Sequence, residues 1–192
     1  MQRSLHLAFQ FVILEFRIMK SQDVIYALVV HLVPRAWTYP SISDFSGLSA
    51  SQSHMSCKRL REARLLRQEP GEPWLVSAAN LTEFLTYGVP YVFPVTIGEP
   101  TWGIPTAYAA PFVQEGFVPG KYDPVVWPTA DGKVQGNALD PLHACQLTCI
   151  DKPGGDSIYR ALVCIDLLRM GQSRERAWAK DTLAEALRHA KS

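Results

Sequence analysis

The chain has 192 residues, 47% hydrophobic and 19% charged, which excludes a wholly disordered protein and suffices for one large or two small domains. A net charge of +1 excludes a uniformly basic surface, so any nucleic-acid contact must come from a local patch. Four cysteines, Cys57, Cys145, Cys149 and Cys164, are too few and too irregularly spaced for a disulfide framework and fit a reducing, cytoplasmic setting.

Residues 1–18 carry an apolar run from Leu5 to Leu14 that His6 and Gln10 interrupt. The run is too short for a membrane span and has no small-residue cleavage site. It reads as an N-terminal extension, a strand or helix at a dimer interface, with Met19 as an alternative natural start. Ser21 to Val33 predicts the first helix of a domain: Ser21 caps it, Asp23 complements the helix dipole, and Pro34 stops it. Val24, Ile25, Leu28, Val29 and Leu32 make a broad apolar face. His31, on or near that face, reads as a packed, hydrogen-bonded side chain rather than a ligand. Arg35 to Tyr39 is a connector.

Tyr39 to Trp74 organises the rest. Ser41 to Ser46 predicts a short helix with Ile42 and Phe45 on one face. Gly47 supplies the positive φ that a tight corner needs. Ser49 then caps a second helix, and Gln52 completes a Ser-x-x-Gln capping box. This helix runs from Ala50 to about Arg64. Ser53, Cys57 and Leu60 repeat at helical spacing on one side. Gln52, Ser56 and Arg59 lie on the other, with His54 and Met55 nearby. Lys58, Arg59, Arg61, Arg64 and Arg67 against Glu62 make it the most basic stretch of the chain. Leu65 to Gln68 and Pro73 to Val76, around Pro70-Gly71, predict a minimal hairpin.

The run ISDFSGLSASQSHMSCKRLREARLL (42–66) resembles the winged helix-turn-helix of MarR-type regulators: a short helix, Gly-Leu-Ser, a second helix bearing Lys-Arg-Leu, then Ala-x-Leu-Leu. The pattern departs at Ser53, where such helices bury Val or Ile, and at Arg64, where many have Gly. The resemblance implies a second helix that enters the DNA major groove and a hairpin that acts as a wing.

Ser77 to Tyr87 predicts a helix with Leu81, Phe84 and Leu85 buried and Gly88 in the left-handed position past its end. From Val89 to Pro141 the composition changes: nine of the 14 prolines lie here, among many aromatic anchors. This stretch predicts a loop-rich element with short extended pieces, including a small strand near Lys133 to Gly136. Its Tyr-x-Phe-Pro and Gly-Ile-Pro-Thr segments are similar to those of a group of bacterial winged-helix proteins, with a looser likeness to antitoxin-type regulators of toxin–antitoxin pairs. That likeness implies a partner-binding surface; plain structural packing is the favoured alternative. Asp156 to Met170, capped by Asp156 or Ser157, and a last helix capped by Ser173 predict an αα-hairpin.

Chemistry-bearing patterns are sparse. His143, Cys145 and Cys149 form one His/Cys cluster, but no Cys-x2-Cys pair or matching second half accompanies it. Cys149 with His143 as base lacks a nucleophile elbow and an orienting carboxylate. No phosphate loop or dinucleotide fingerprint occurs. The Gly98 to Gly103 loop reads as structural. No catalytic residue, metal or cofactor is expected.

The fold expected is α+β and mainly helical. It comprises the extension (1–18), a winged helix-turn-helix domain (19–88), and a Pro/aromatic-rich segment packed with a C-terminal helical hairpin (89–192). The function expected is a cytoplasmic transcriptional regulator, a homodimer on double-stranded DNA with no membrane contact. The alternative is an antitoxin-like module that binds a protein partner such as a toxin. Expected DNA-binding residues are Ser49, Ser51, Gln52, His54 and Ser56 at the start of the helix. Lys58, Arg59, Arg61 and Arg64 reach phosphates, and Arg67 and Gln68 act on the wing.

Overall fold

The computed structural model of the chain describes residues 18–34, 36–116 and 123–190. All of the N-terminal extension but Ile18, and the aromatic anchors Phe117 and Tyr122, lie outside them. The described chain is α+β and mainly helical, as expected.

Helix α1 (Ser21–Leu32) is the axis. It was expected to bury one face; instead every residue from Gln22 to Leu32 is buried. Its sequence explains this, because apolar residues run continuously from Val24 to Val30 and leave no polar side to face water. It packs on α2 (Tyr39–Ser46), α3 (Ala50–Glu62), strand β2 (Leu75–Val76) and helices of the C-terminal half. His31 is buried and its Nε2 lies 2.7 Å from the Leu187 carbonyl, the packed role expected for it. Lys20, not Ser21, is the N-cap, and its N–H donates to the Asp23 carboxylate at 2.8 Å.

The second half was expected to be loop-rich with a small strand. It contains a three-stranded closed barrel of β3 (Ile97–Pro105), β4 (Val125–Pro128) and β5 (Val134–Leu139). β3 pairs antiparallel with both others, and β4 and β5 pair parallel over Val125–Val126. The Gly98 to Gly103 stretch is therefore strand, not loop. Pro100 hid it: proline cannot donate to a ladder, and here the register shifts between Ile97 and Pro100 to accommodate it. So small a barrel needs backbone approach that only glycine allows. A Cβ on Gly132 would sit 2.2 Å from the Gly103 nitrogen, and one on Gly103 would sit 2.1 Å from the Trp127 carbonyl oxygen.

Helix α4 (Ala78–Glu83) does not end at Gly88 as expected. A π turn over Phe84–Gly88 leads into α5 (Val89–Val92), and Gly88 has φ −97° rather than a left-handed value. Pro90 accounts for this. In an unbroken α-helix its ring would collide with the Thr86 carbonyl, and widening the preceding turn removes the clash.

A short helix α6 (Pro111–Gly116) and α7 (Cys145–Ile150) lead to the expected hairpin of α8 (Gly155–Met170) and α9 (Ser173–His189). Its caps are Gly154, in the left-handed conformation, and Gln172 rather than Asp156, Ser157 or Ser173. Buried side chains from both halves of the chain, Val24 to Leu187, belong to one core cluster.

Asp166 of α8 holds the barrel on the helices. It is 2% exposed and accepts from Trp127 Nε1 at 2.7 Å, Thr106 Oγ1 at 2.8 Å and Arg169 at 2.8 Å. Arg169 in turn donates to the Phe93 carbonyl at 2.8 Å, and the Tyr159 hydroxyl donates to the Pro105 carbonyl at 2.7 Å. Burial pushes the Asp166 carboxyl up, while Arg169, Thr106 and Trp127 pull it down. Asp166→Ala is expected to lower the unfolding free energy by about 3–5 kcal/mol, because Arg169 stays buried without its anion. A urea midpoint near that of the parent protein would show that the barrel does not depend on this carboxylate.

Candidate nucleic-acid interface

Thr38 caps α2, its Oγ1 accepting from Ser41 N–H at 3.3 Å, so this helix starts two residues earlier than expected. It ends at Gly47, whose φ of 71° turns the chain toward α3. Ser49 caps α3 through the reciprocal box expected: Ser49 Oγ accepts from Gln52 N–H at 3.2 Å, and Gln52 Oε1 accepts from Ser49 N–H at 2.9 Å. Ser53, the departure from an apolar pattern, is fully buried, and its hydroxyl meets that of Ser43 at 2.9 Å. A polar pair between α2 and α3 thus takes the place of an apolar contact.

α3 divides the expected site residues into two sets. Ser49, Ser51, Gln52, His54, Lys58 and Arg61 are exposed, and those from Ser51 to Arg61 form a stripe at helical spacing. Ser56 and Arg59 are buried and were misassigned. Arg59 donates to both oxygens of Asp23, Nε to Oδ2 at 2.7 Å and Nη2 to Oδ1 at 2.6 Å, with the two side chains 3% and 0% exposed. Ser56 Oγ accepts from Arg59 at 3.3 Å and from Gln22 Nε2 at 3.1 Å. A guanidinium paired with a buried carboxylate and only 3% exposed is not presented to a phosphate. The signal that could have found the pair is Asp23 itself, a carboxylate in a helix that is otherwise apolar from Val24 to Val30.

After α3 come β1 (Leu66–Arg67) and β2, which pair antiparallel as the expected minimal hairpin, Leu66 with Val76 and Arg67 with Leu75. Trp74 fastens it, its ring 5.8 Å from Tyr26 and 5.0 Å from Tyr39. Gln68 faces the same cluster: its Oε1 accepts from the Tyr39 hydroxyl at 3.2 Å and the Cys57 thiol at 3.3 Å. Its carbonyl end is therefore tied inward rather than presented on the outer face of the hairpin. Burial pushes the Tyr39 hydroxyl up to about 12 and raises the Cys57 thiol, so both remain protonated donors at neutral pH.

α3 ends in a Schellman motif. Leu65 N–H donates to the Leu60 carbonyl at 2.9 Å and Arg64 N–H to the Arg61 carbonyl at 3.0 Å, with Leu60 and Leu65 both buried. Arg64 therefore takes φ 59°, where glycine is usual. Between this corner and the hairpin lies a groove of about 520 Å3, with Leu66, Leu75 and Val76 in its wall and Arg61, Arg64 and Arg67 at its rim. A second groove, of about 450 Å3, shares Arg61 and Arg67 and adds Lys58, but also Glu62 and Glu69.

Around the His/Cys cluster, Cys145 and Cys149 are buried, and Cys145 N–H donates to His143 Nδ1 at 3.2 Å. The neighbouring Cys149 and burial together raise the Cys145 thiol, away from the thiolate a nucleophile needs. Among the described residues no three His, Cys, Asp or Glu side chains gather as a metal site, and no helix is long and apolar enough to cross a membrane.

No known protein family, curated protein or solved structure matches the chain.

Arg59→Ala and Asp23→Ala are each expected to cost about 3–5 kcal/mol of stability by leaving a buried charge unpaired. In the double variant the loss should fall well short of the sum, which denaturation of the four proteins measures. Arg64→Gly is expected to stabilise by about 1 kcal/mol, since glycine adopts the left-handed cap without the Cβ penalty; a lower urea midpoint would contradict the strain assigned there.

Proposed function

We propose that the chain is a DNA-binding regulator whose helices α2 and α3 and hairpin form a winged helix-turn-helix, with α3 entering the major groove. The observation that carries this reading is the exposed stripe Ser51, Gln52, His54, Lys58 and Arg61 on a helix whose opposite side is anchored by Arg59 to Asp23. Small polar groups at the helix start suit base edges, and the cations beyond them suit phosphates. The capping box refines the role of Gln52. Its Oε1 is occupied by Ser49, so it offers a groove only its Nε2 donor, which fits a single bond to a base acceptor rather than a two-point contact with adenine. A two-fold dimer would set two such helices on a palindromic site.

The second reading is a protein-interaction module of the antitoxin kind. It draws on the distribution of exposed large hydrophobics: of the seven among the described residues, five, Tyr87, Tyr91, Val92, Ile97 and Trp102, fall within residues 87–102, the others being Ile18 and Leu75.

Fluorescence anisotropy of the chain against random duplex DNA at two salt concentrations tests the first reading. Binding should weaken steeply with salt and drop at least tenfold in a Lys58→Ala/Arg61→Ala double variant, which spares the buried Arg59. Gln52→Glu keeps the capping box but loses the donor, so it should alter the sequence selected from the pool while leaving stability close to the parent's. Absence of duplex binding at low salt would reject this reading and favour the second. In that case a Tyr91→Ala/Trp102→Ala variant, and not the α3 variant, should lose capture of the partner protein.

A further inference from the structure

The strained corner at Arg64 and the groove beside it carry an inference that rests on the DNA-binding reading and sharpens it. A residue with φ 59° in the penultimate slot of a Schellman motif is usually glycine, because a side chain there brings Cβ against the backbone. Strain of this kind persists where surrounding structure enforces it, and the enforcement is visible. The two helix-end bonds from Leu65 and Arg64 hold the amides. Asn80 Nδ2 donates to the Arg64 carbonyl at 3.0 Å, tying the corner to the start of α4. Leu60 and Leu65 close the turn from inside. Arginine occupies this position against its conformational preference, and what it adds over glycine is a guanidinium beside the groove.

That groove differs from its neighbour in charge. Arg61, Arg64 and Arg67 border it and no acidic side chain does, whereas the adjoining groove carries Glu62 and Glu69. All three arginines are exposed, and none has an ion-pair partner among the described residues. Its remaining wall is partly apolar, with Leu66 and Val76 buried beneath an exposed Leu75. An apolar wall under a rim of guanidinium forks matches a sugar–phosphate strand: deoxyribose packs on Leu75 while the forks hold phosphate oxygens at two points each. Arg61 also belongs to the exposed stripe of α3, so the groove continues the surface that would face base edges.

We infer that this groove is a backbone clamp, gripping one DNA strand between the C-terminal end of α3 and the hairpin, and that Arg64 is kept in its left-handed conformation to complete it. Arg64 is a binding residue; Asn80 is a positioning residue that acts through it.

Arg64→Gly separates the clamp from the fold, because it preserves the backbone and deletes the guanidinium. Duplex affinity of parent, Arg64→Gly, Arg64→Lys and Lys58→Ala chains is measured by anisotropy across a salt series. For Arg64→Gly the slope of log affinity against log salt should become shallower by about 0.9, the value of one lost phosphate contact on B-form DNA. Affinity should fall several-fold at low salt while the urea midpoint holds or rises. Arg64→Lys should restore only part of the loss, since a point charge replaces a fork. An unchanged slope and affinity in Arg64→Gly overturns the clamp, and if Lys58→Ala still weakens binding, the DNA reading survives without it. No duplex binding by the parent chain overturns both.

Discussion

The fold turns on a carboxylate that has no access to water. Asp23 sits at the start of a helix buried along its length and satisfies three donors at once: the Lys20 amide and two nitrogens on one edge of the Arg59 guanidinium. An isolated charge in that position would be prohibitive, so the pair must form if α1 is to occupy the centre. Because Arg59 is on α3, the pair also sets the rotation of α3 about its own axis. With Arg59, Ser56 and Leu60 turned inward, helical spacing leaves Ser51, His54, Lys58 and Arg61 outward. The surface put forward for DNA is thus a geometric consequence of an interior ion pair.

A parallel arrangement organises the other half. Asp166 collects an indole N–H and a hydroxyl from segments far apart in sequence and a guanidinium from its own helix, and Arg169 extends the network to the backbone at Phe93. Such bonds are directional and lose their value when half made, so they specify a single placement of the barrel on α8. Apolar contacts such as Trp127 against Tyr159, with ring centroids 5.8 Å apart, fill the space but tolerate sliding. The two acid hubs thus supply orientation where the hydrophobic core supplies most of the cohesion.

The corner after α3 shows stability and surface chemistry in competition. Its Schellman bonds and buried leucines are those of an ordinary helix end, yet the left-handed residue is arginine. Glycine stands at other demanding points: Gly47 at the turn between α2 and α3, Gly103 and Gly132 where barrel strands nearly touch. Arg64 and Ala107 are the two non-glycine residues at positive φ among the described residues, and Arg64 is the one that carries a charge, on the most basic surface the chain offers.

Local rules made much of the first half legible from residues alone. The Ser49–Gln52 box, the Gly47 turn, the end of α1 near Pro34 and the two short strands around Pro70-Gly71 depend on neighbours within a few positions. Those neighbours act whatever the rest of the chain does. The barrel was hidden because prolines and glycines spell loop locally, and only pairing between separate segments, as between Ile97 and Leu139 or Gly103 and Pro128, makes strands of them. Arg59 was misread for a related reason. Its place on a basic helix is a sequence property, but whether its charge faces water or Asp23 depends on which side of α3 meets α1. Periodicity identifies the faces of a helix; tertiary packing alone decides which of them is buried, because the energy of an ion pair belongs to two segments brought together and to neither one by itself.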